Sequence, residues 1–449
     1  MGGYKQPSNK LFSVLQSHLA RSGVRSAVGN FGWMVAERGM RLVCSVLVGF
    51  WVARYLGPGQ FGLLGYTLAW VGIGTALVEF GLEGIVRREV LRNPAEAGRT
   101  ISAARFLRLA AGMAAYLLLV GSTFVAGAGK QEVRLAALLG LLFFQPGLSV
   151  ADLWLHAHLK ARVAVLAQLP GLVLGTLAKV SLILMGAPLV AFAGTMVLEV
   201  LLSIVVLNVL ARKAGFPTLA PAVRPACVAL FRESWPLLLS SLGVVVYMRT
   251  DTLMLRHYLG EEAVGVFVAA TRISESSYFV PLFLASSILP ALLRARQQGP
   301  AIYAVRFQQY YDGSAALAYV FAGGMIVAAP WLIPLAYGPA YAGSIPVLMV
   351  HALTQFGALL GVARGQYLVN EGHMRFYSFV TLSGAGVNVL LNLWLIPRYG
   401  PVGAAWATVA AQAVSVWFTS FLWSRTRSIG WMQTKALLVP VLGWRYLRR

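Results

Sequence analysis

The stretch ARYLGPGQFGLLGY, residues 53–66, separates two long apolar runs of the chain. The first run, residues 42–52, is followed by the triplet Gly57, Pro58 and Gly59, and the second run begins at Phe61. Proline fixes the backbone φ angle and glycine frees it, so this triplet is typical of a turn. The stretch therefore predicts a tight hairpin between two hydrophobic helices.

The chain repeats this pattern about 200 residues later, a spacing that suits duplicated helical bundles and is too long for a solenoid repeat. Residues 255–270 read LRHYLGEEAVGVFVAA. Residues 55–57 then align with residues 258–260, and Gly62 aligns with Gly265, again after one apolar run and before another. The repetition predicts two related halves.

The composition is that of a membrane protein. Hydrophobic residues make up 58% of the 449 residues and charged residues 12%, against about 45–50% and 25% in soluble proteins. A transmembrane helix needs about 20 mostly apolar residues. We therefore predict an all-α polytopic membrane protein with about 12 transmembrane helices in two pseudo-symmetric six-helix lobes. The predicted runs are 28–53, 61–85, 106–127, 133–155, 163–186, 188–211, 234–256, 263–292, 308–333, 343–369, 376–396 and 402–424.

The net charge of +22 is distributed unevenly along the chain. With the N-terminus inside, 27 Lys and Arg residues fall in cytoplasmic segments and five in the opposite loops. Because cytoplasmic loops are enriched in basic residues, this asymmetry predicts that both termini are cytoplasmic. Attraction to anionic lipid headgroups accounts for most of the charge, so we expect no nucleic-acid partner.

The runs and the polar breaks between them predict five segments. We expect residues 1–27 to lie on the inner membrane surface as a cytoplasmic interfacial segment without a cleavable signal peptide. Residues 28–212 form the N-terminal lobe, residues 213–232 a cytoplasmic linker with three prolines, and residues 233–424 the C-terminal lobe. Residues 425–449 form a basic cytoplasmic tail.

Charged residues within the predicted spans are the candidate functional residues, because a charge at membrane depth is costly and usually faces a cavity or a partner. Basic groups outnumber the local acids, and arginine binds phosphate in a bidentate manner, so the pattern predicts a cationic cavity for a phosphate-bearing substrate. The substrate-binding candidates are Arg38, Arg41, Lys179, Arg249 and Arg272. The candidates for proton exchange or for holding a coupling cation are Glu79, Asp251 and Glu275.

Some of these residues have simpler structural interpretations. Arg272 and Glu275 are three residues apart and could neutralise each other on one helix face. Glu199 could lie at headgroup depth, where a carboxylate is solvated. Asn388 and Asn392 lie one turn apart and are more typical of interhelical hydrogen bonds than of ligands.

Catalytic motifs are absent from the sequence. It contains no Walker loop, no metal spacing among its six histidines and no serine in a nucleophile-elbow context. Its two cysteines are far apart in sequence and suggest neither a disulfide framework nor a metal site. We therefore expect no enzyme activity, catalytic residues, cofactor or metal.

Four turn motifs resemble those of one known family. They are residues 53–66, residues 251–270, YGPAYAGSIP at 337–346 and IPRYGPVGAAWA at 396–407. Together they are similar to the polysaccharide transport flippases, the Wzx-type transporters of O-antigen and exopolysaccharide repeat units, in the multidrug/oligosaccharidyl-lipid/polysaccharide exporter superfamily. The resemblance covers essentially the whole chain, in order.

This resemblance implies a fold and a function. The two lobes would enclose a central cavity as in the multidrug exporters of that superfamily. Alternating access would carry an undecaprenyl-pyrophosphate-linked oligosaccharide across the bacterial inner membrane for O-antigen, capsule or exopolysaccharide synthesis. Further partners would be membrane lipids, a polysaccharide polymerase and a chain-length regulator. The family motifs are structural, so no binding residue is carried over from them.

Two alternative functions remain open at this point. A cation-coupled drug exporter of the same fold would need a dominantly acidic cavity. A membrane enzyme of the glycan pathway would need a sizeable external loop. Lipid II flippases of the superfamily usually have fourteen spans, more than this chain has room for.

Overall fold

The computed structural model describes residues 47–221 and 223–442, and this part of the chain is helical throughout its ordered elements, with no strand. The first helix of the described part is α1, residues 47–79. The remaining helices are α2 Leu82–Arg92, α3 Ala97–Val125, α4 Lys130–Gly140, α5 Gln145–Leu148, α6 Ala151–Ala157, α7 Ala161–Leu184, α8 Leu189–Lys213, α9 Arg224–Glu275, α10 Phe279–Gln298, α11 Pro300–Tyr337, α12 Ser344–His351, α13 Thr354–Asn370, α14 Met374–Gln412, α15 Arg427–Leu437 and α16 Val439–Leu442.

Several helical runs are too long to be single membrane spans. The run Met374–Phe421 has 48 residues and would measure about 72 Å if straight, more than twice the roughly 30 Å hydrocarbon layer. Gly400, with φ 58°, divides it into two arms. Gly260 in α9, with φ 84°, and Gly57 in α1, with φ 72°, do the same.

The membrane spans agree with the predicted architecture. Eight helical runs in the described part are long and apolar enough to cross a membrane, or nine if α4–α6, bent by 43°, counts as one span. The breaks at the motif glycines account for runs that contain more than one predicted span. The predicted run 28–53 lies mostly outside the described residues, as do Arg38 and Arg41.

All four turn motifs are hairpins on one side of the molecule, called here the hairpin side. Each has a glycine at positive φ after its tyrosine: Gly57, Gly260, Gly338 and Gly400. A side chain would be strained in this backbone region, whereas glycine adopts it freely. The sequence similarity among the motifs therefore reflects a shared turn geometry.

The hairpins at residues 53–66 and 251–270, one from each lobe, pack directly on each other. A Cβ atom added to Gly62 would lie 1.8 Å from the carbonyl oxygen of Glu261. One added to Gly265 would lie 1.9 Å from the carbonyl oxygen of Pro58. The two glycines that align in the repeat thus form a reciprocal backbone contact.

A hydrogen bond and an ion pair extend this contact between the lobes. The Tyr341 hydroxyl donates to the Ala53 carbonyl at 2.7 Å. Arg256 in α9 lies 2.9 Å from Glu261 and 3.6 Å from Glu132 in α4. The hairpin side is therefore closed.

The hydrophobic core divides in a way that explains the shape of the molecule. On the hairpin side, one buried cluster joins both lobes and includes Phe61, Leu255 and Tyr337. On the opposite side each lobe has its own cluster, one around Trp154 and one around Phe307. Among the described residues, the core that the lobes share therefore lies on the hairpin side.

Helix α9 connects the two lobes. Its first turns contact the N-terminal lobe, where Leu230 is buried with the residues around Trp154 and Glu233 pairs with Arg88 of α2. Its later turns belong to the core shared by the lobes. The lobe boundary at residues 232 and 233 stays a prediction, because α9 runs through it.

We expect Gly62→Ala and Gly265→Ala each to open the hairpin side. An added methyl group cannot be accommodated against a carbonyl oxygen, and overpacking of this kind costs about 1–3 kcal/mol. The closed arrangement should lose about tenfold or more in population. The measurement is the distance between spin labels at Gln60 and Glu262, two exposed hairpin positions, in the purified protein.

Gly59→Ala is the matched control, because a Cβ at Gly59 meets no atom within 4 Å. It should keep the wild-type distance distribution. An unchanged distribution in both Gly62→Ala and Gly265→Ala would contradict the role assigned to the contact.

Candidate functional site

Two cavities lie side by side between the lobes. The first, of about 170 Å³, is lined mainly by α1, α7 and α8 and includes Lys179 and Glu199. The second, of about 240 Å³, is lined mainly by α9 and α14 and includes Arg249, Asp251 and Glu275. Five of the predicted site residues are therefore brought to one region, since Arg272 lines both cavities.

Arg272 lies at the junction of the two cavities. Its guanidinium carbon is 5.2 Å from the centroid of the Phe61 ring, and its Nη1 would be 3.2 Å from a Cβ at Gly49. It therefore extends from the C-terminal lobe toward α1 and forms no ion pair with Glu275. The two charges nevertheless attract each other, so their local neutralisation stays a prediction, and Arg272 remains exposed to the cavity space.

Lys179 has a partner on the neighbouring helix. Its ammonium lies 2.7 Å from the Glu199 carboxylate, and both side chains are largely buried. Glu199 therefore lines the cavity at membrane depth and is not solvated among headgroups. This ion pair offsets the charge of Lys179. Lys179 can therefore bind a substrate anion, as predicted, if the ion pair with Glu199 opens or if the anion approaches the ammonium group beside Glu199.

Asp251 is the centre of a buried hydrogen-bond network in the C-terminal lobe. The Thr408 hydroxyl donates to its Oδ2 at 2.7 Å, and the Asn392 amide donates to its Oδ1. Asn392 also donates to Asn388 Oδ1 at 3.0 Å. The two asparagines are fully buried and act as interhelical hydrogen-bonding groups, as their spacing indicates.

This network is rich in oxygen atoms. Asp251 Oδ1 and Oδ2, Asn388 Oδ1 and the Thr408 hydroxyl converge from α9 and both arms of α14. The Oδ1 atom of Asn392 is buried and has no hydrogen-bond partner among the described residues. Oxygen ligands of this kind suit a hard cation, and a buried carboxylate can alternatively take up a proton.

The remaining acidic and basic candidates are placed differently. Arg249 is exposed to the second cavity and faces the N-terminal lobe, where a Cβ at Gly72 would lie 3.4 Å from its Nε. Glu275 is half-buried in the same cavity. Glu79 lies at the end of α1, lines neither cavity and interacts electrostatically with Arg108.

The charge balance of the described cavity residues is even. Three cations, Lys179, Arg249 and Arg272, accompany the three carboxylates of Glu199, Asp251 and Glu275. The excess of positive charge predicted from the sequence therefore depends on residues 1–46, which include Arg38 and Arg41 and lie outside the described residues, or on neutralisation of a carboxylate.

Two buried arginines were assigned to cytoplasmic segments by the charge count. Arg108 is 5% exposed within α3 and donates to the Pro146 carbonyl at 3.1 Å. Arg364 is 3% exposed within α13. The signal that could have revealed Arg364 is that it falls inside the predicted run 343–369. Thr408 was also missed, because one threonine in an apolar helix gives no signal.

Solved structures share this fold. The lipid II flippase MurJ in an inward closed conformation matches with a TM-score of 0.68, at 14% identity over 94% of this chain and 93% of that one. An inward-facing multidrug resistance MATE family transporter of the MOP superfamily gives 0.67, at 18% identity over 86% and 94% of the two chains. An outward-facing MATE family structure gives 0.59, at 18% identity over 90% and 95%.

These values show that the chain shares the fold of these transporters. At these identities the likeness shows the fold alone.

Sequence comparisons point to the same group of proteins. A Shigella dysenteriae protein named "Putative O-antigen transporter" is 24% identical over 281 residues, which are 60% of this chain and 66% of that protein, just under two thirds of its length. Residues 30–295 match the protein family described as "Polysaccharide biosynthesis protein". That match covers more than half of the chain and agrees with the resemblance of the four turn motifs. The chain therefore belongs to the polysaccharide biosynthesis protein family.

Proposed function

We propose that the protein is a flippase that moves undecaprenyl-pyrophosphate-linked oligosaccharide repeat units across the bacterial inner membrane for O-antigen, capsule or exopolysaccharide synthesis. The observation that carries this proposal is Arg272, an accessible guanidinium at the junction of two cavities between the lobes. Family membership and the name of the Shigella relative support the substrate class. The fold, shared with multidrug and lipid II transporters, supports transport rather than catalysis.

Arg272 and Arg249 are the groups that receive the pyrophosphate in this mechanism. Both are exposed to the cavity space and extend toward the N-terminal lobe. Arginine forms bidentate, charge-assisted hydrogen bonds with phosphate oxygens. Both arginines belong to α9, so together they hold the anion in the space between the lobes. The polyprenyl tail remains in the bilayer and the glycan occupies the cavity.

Asp251 is the coupling residue in this mechanism. With even charge among the described cavity residues, a substrate anion must compete with the carboxylates for the two arginines. Uptake of a proton or a cation by the Asp251 network removes one negative charge from the second cavity and strengthens its attraction for the pyrophosphate. Glu275 lines the same cavity as Asp251 and is subject to the same neighbouring charges, whereas Glu79 lies outside this cavity. Arg38 and Arg41 remain proposed substrate ligands on sequence grounds.

The closed hairpin side corresponds to the periplasmic side in this proposal, with both termini cytoplasmic. The basic residues in the segments opposite the hairpins support this orientation. A polysaccharide polymerase and a chain-length regulator are the partner proteins expected on the receiving side.

The decisive experiment is transport by the purified protein in vesicles. Vesicles contain a fluorescent polyprenyl-pyrophosphate-linked sugar, and a membrane-impermeant quencher reports the outer leaflet. Protein-dependent exchange of the lipid supports the proposal. Absence of exchange together with uptake of a cationic dye would replace it with the drug-exporter alternative.

Arg272→Gln should slow this exchange. Charge-assisted hydrogen bonds contribute about 1.5–3 kcal/mol, which corresponds to about tenfold or more in substrate affinity. Arg272→Lys keeps the charge but not the forked geometry and should give an intermediate rate. The control is Arg306→Gln, because Arg306 is exposed on α11, lines neither central cavity and donates a hydrogen bond to Gln309 on its own helix. Wild-type exchange by Arg272→Gln would rule out the role given to this residue.

Asp251→Asn should uncouple transport from its driving ion. The variant retains the shape of the network but cannot exchange a proton or neutralise a cation, so the rate should lose its dependence on a pH or sodium gradient. Thr408→Val should weaken the dependence, and Thr408→Ser, which keeps the hydroxyl, should retain it. The measurement is exchange with and without each gradient. Gradient-driven transport by Asp251→Asn at the wild-type rate would exclude Asp251 as the coupling residue.

A further inference from the structure

A third cavity, of about 170 Å³, lies within the C-terminal lobe between α13, the first arm of α14 and residues 415 and 416. It shares no lining residue with the two central cavities. Arg364 contributes the one charged side chain to its lining, and Tyr377, Thr381 and Ser415 contribute polar groups. The proposed transport function makes no use of this cavity.

Arg364 is buried without a matching negative charge. Its side chain is 3% exposed, and its Nη1 donates to the Ser415 carbonyl. Its Nε and Nη2 have no hydrogen-bond partner among the described residues. The ionisable groups that act on it are the tyrosines Tyr311 and Tyr377, and no carboxylate of the described chain lies within ion-pair distance. A buried charge without an ionic partner is unfavourable, so the site favours an anion.

Glycines and an irregular helix turn create the cavity. A Cβ at Gly384 would lie 2.7 Å from Ser415 Cβ, and one at Gly365 would lie 3.3 Å from the Tyr377 ring. The helices therefore approach closely on both sides of Arg364. Ser415 lies in a π-helical turn, Ala413–Trp417, and turns of this type are often found at functional sites. The lining is thus a formed site and not a packing gap in a regular helix.

The cavity lies near one membrane boundary. Arg364 precedes the end of α13 at Asn370 by six residues, about 9 Å along the helix. Tyr377, which is 42% exposed, lies in the first turns of α14 and forms part of the cavity rim. A group that enters past Tyr377 would come from the level of the lipid headgroups on the side opposite the hairpins.

We propose that this cavity binds the phosphate group of an anionic membrane lipid. A phosphodiester carries one negative charge, which matches the single guanidinium, and its oxygens match the two unpartnered nitrogen atoms and the polar rim. Leu368, Val380 and Val416 provide apolar walls for the adjoining part of the lipid.

The test is native mass spectrometry of the purified full-length protein in detergent, titrated with phosphatidylglycerol or with diacylglycerol, which has no phosphate group. Wild type should bind phosphatidylglycerol the more tightly of the two. Arg364→Gln should weaken the first phosphatidylglycerol by about tenfold, the contribution of one charge-assisted contact. Arg375→Gln is the matched control, because Arg375 is an exposed cation at the start of α14, and it should bind as wild type does.

A second variant separates binding from folding. Thr381→Leu fills the cavity but leaves the bond between Arg364 and Ser415 intact, so it should lose the lipid and remain monodisperse on size exclusion. Inorganic phosphate is the soluble competitor, and displacement of phosphatidylglycerol by it supports recognition of the phosphate group. Retention of phosphate with no preference between the lipids would overturn the assignment to a lipid. Equal phosphatidylglycerol affinity in wild type, Arg364→Gln and Thr381→Leu would overturn the site.

Discussion

The architecture depends on a backbone contact between two hairpins related by the internal repeat. Gly62 and Gly265 place each hairpin against a carbonyl oxygen of the other. At this distance no side chain can intervene, so the contact holds only if both positions are glycine and both preceding glycines, Gly57 and Gly260, take positive φ. Four glycines thus fix one side of the molecule, and the shared hydrophobic core forms around them.

Because the hairpin side is closed, the charged groups lie in the space between the lobes toward the opposite side. Because the described residues place the core shared by the lobes near the hairpins, the space between the lobes toward the opposite side can hold charged groups at a depth where charge is otherwise costly. The structure reduces that cost by pairing. Lys179 lies against Glu199, and Asp251 receives hydrogen bonds from α14. Arg272 and Arg249 are the cations left accessible among the described cavity residues, and they are the groups on which the proposed substrate binding depends.

The sequence predicted the elements whose causes are local. Hydrophobic runs and turn glycines depend on neighbours in the chain, so the helices, the repeat and the four hairpins could be predicted, and the family resemblance followed from them. The pairing of charged and polar side chains depends on residues that are distant in the sequence, so it could not be predicted. Glu199 is 20 residues from Lys179, and Thr408 is 157 from Asp251. Burial is equally non-local in general, but Arg364 is a case in which the sequence held a signal: it was counted among the loop charges although it lies inside a predicted span.

Helix α9 has a mechanical consequence. Its first turns are attached to the N-terminal lobe through Leu230 and the pair of Glu233 with Arg88, and its far end belongs to the core shared by the lobes. The 36 residues from Arg224 to Leu259 measure about 54 Å, so the helix crosses the whole membrane between these attachments. The helix is a rigid connection of fixed length. The two lobes therefore cannot separate as they could on a flexible linker, and their relative motion is a tilt of this helix about the hairpin contact.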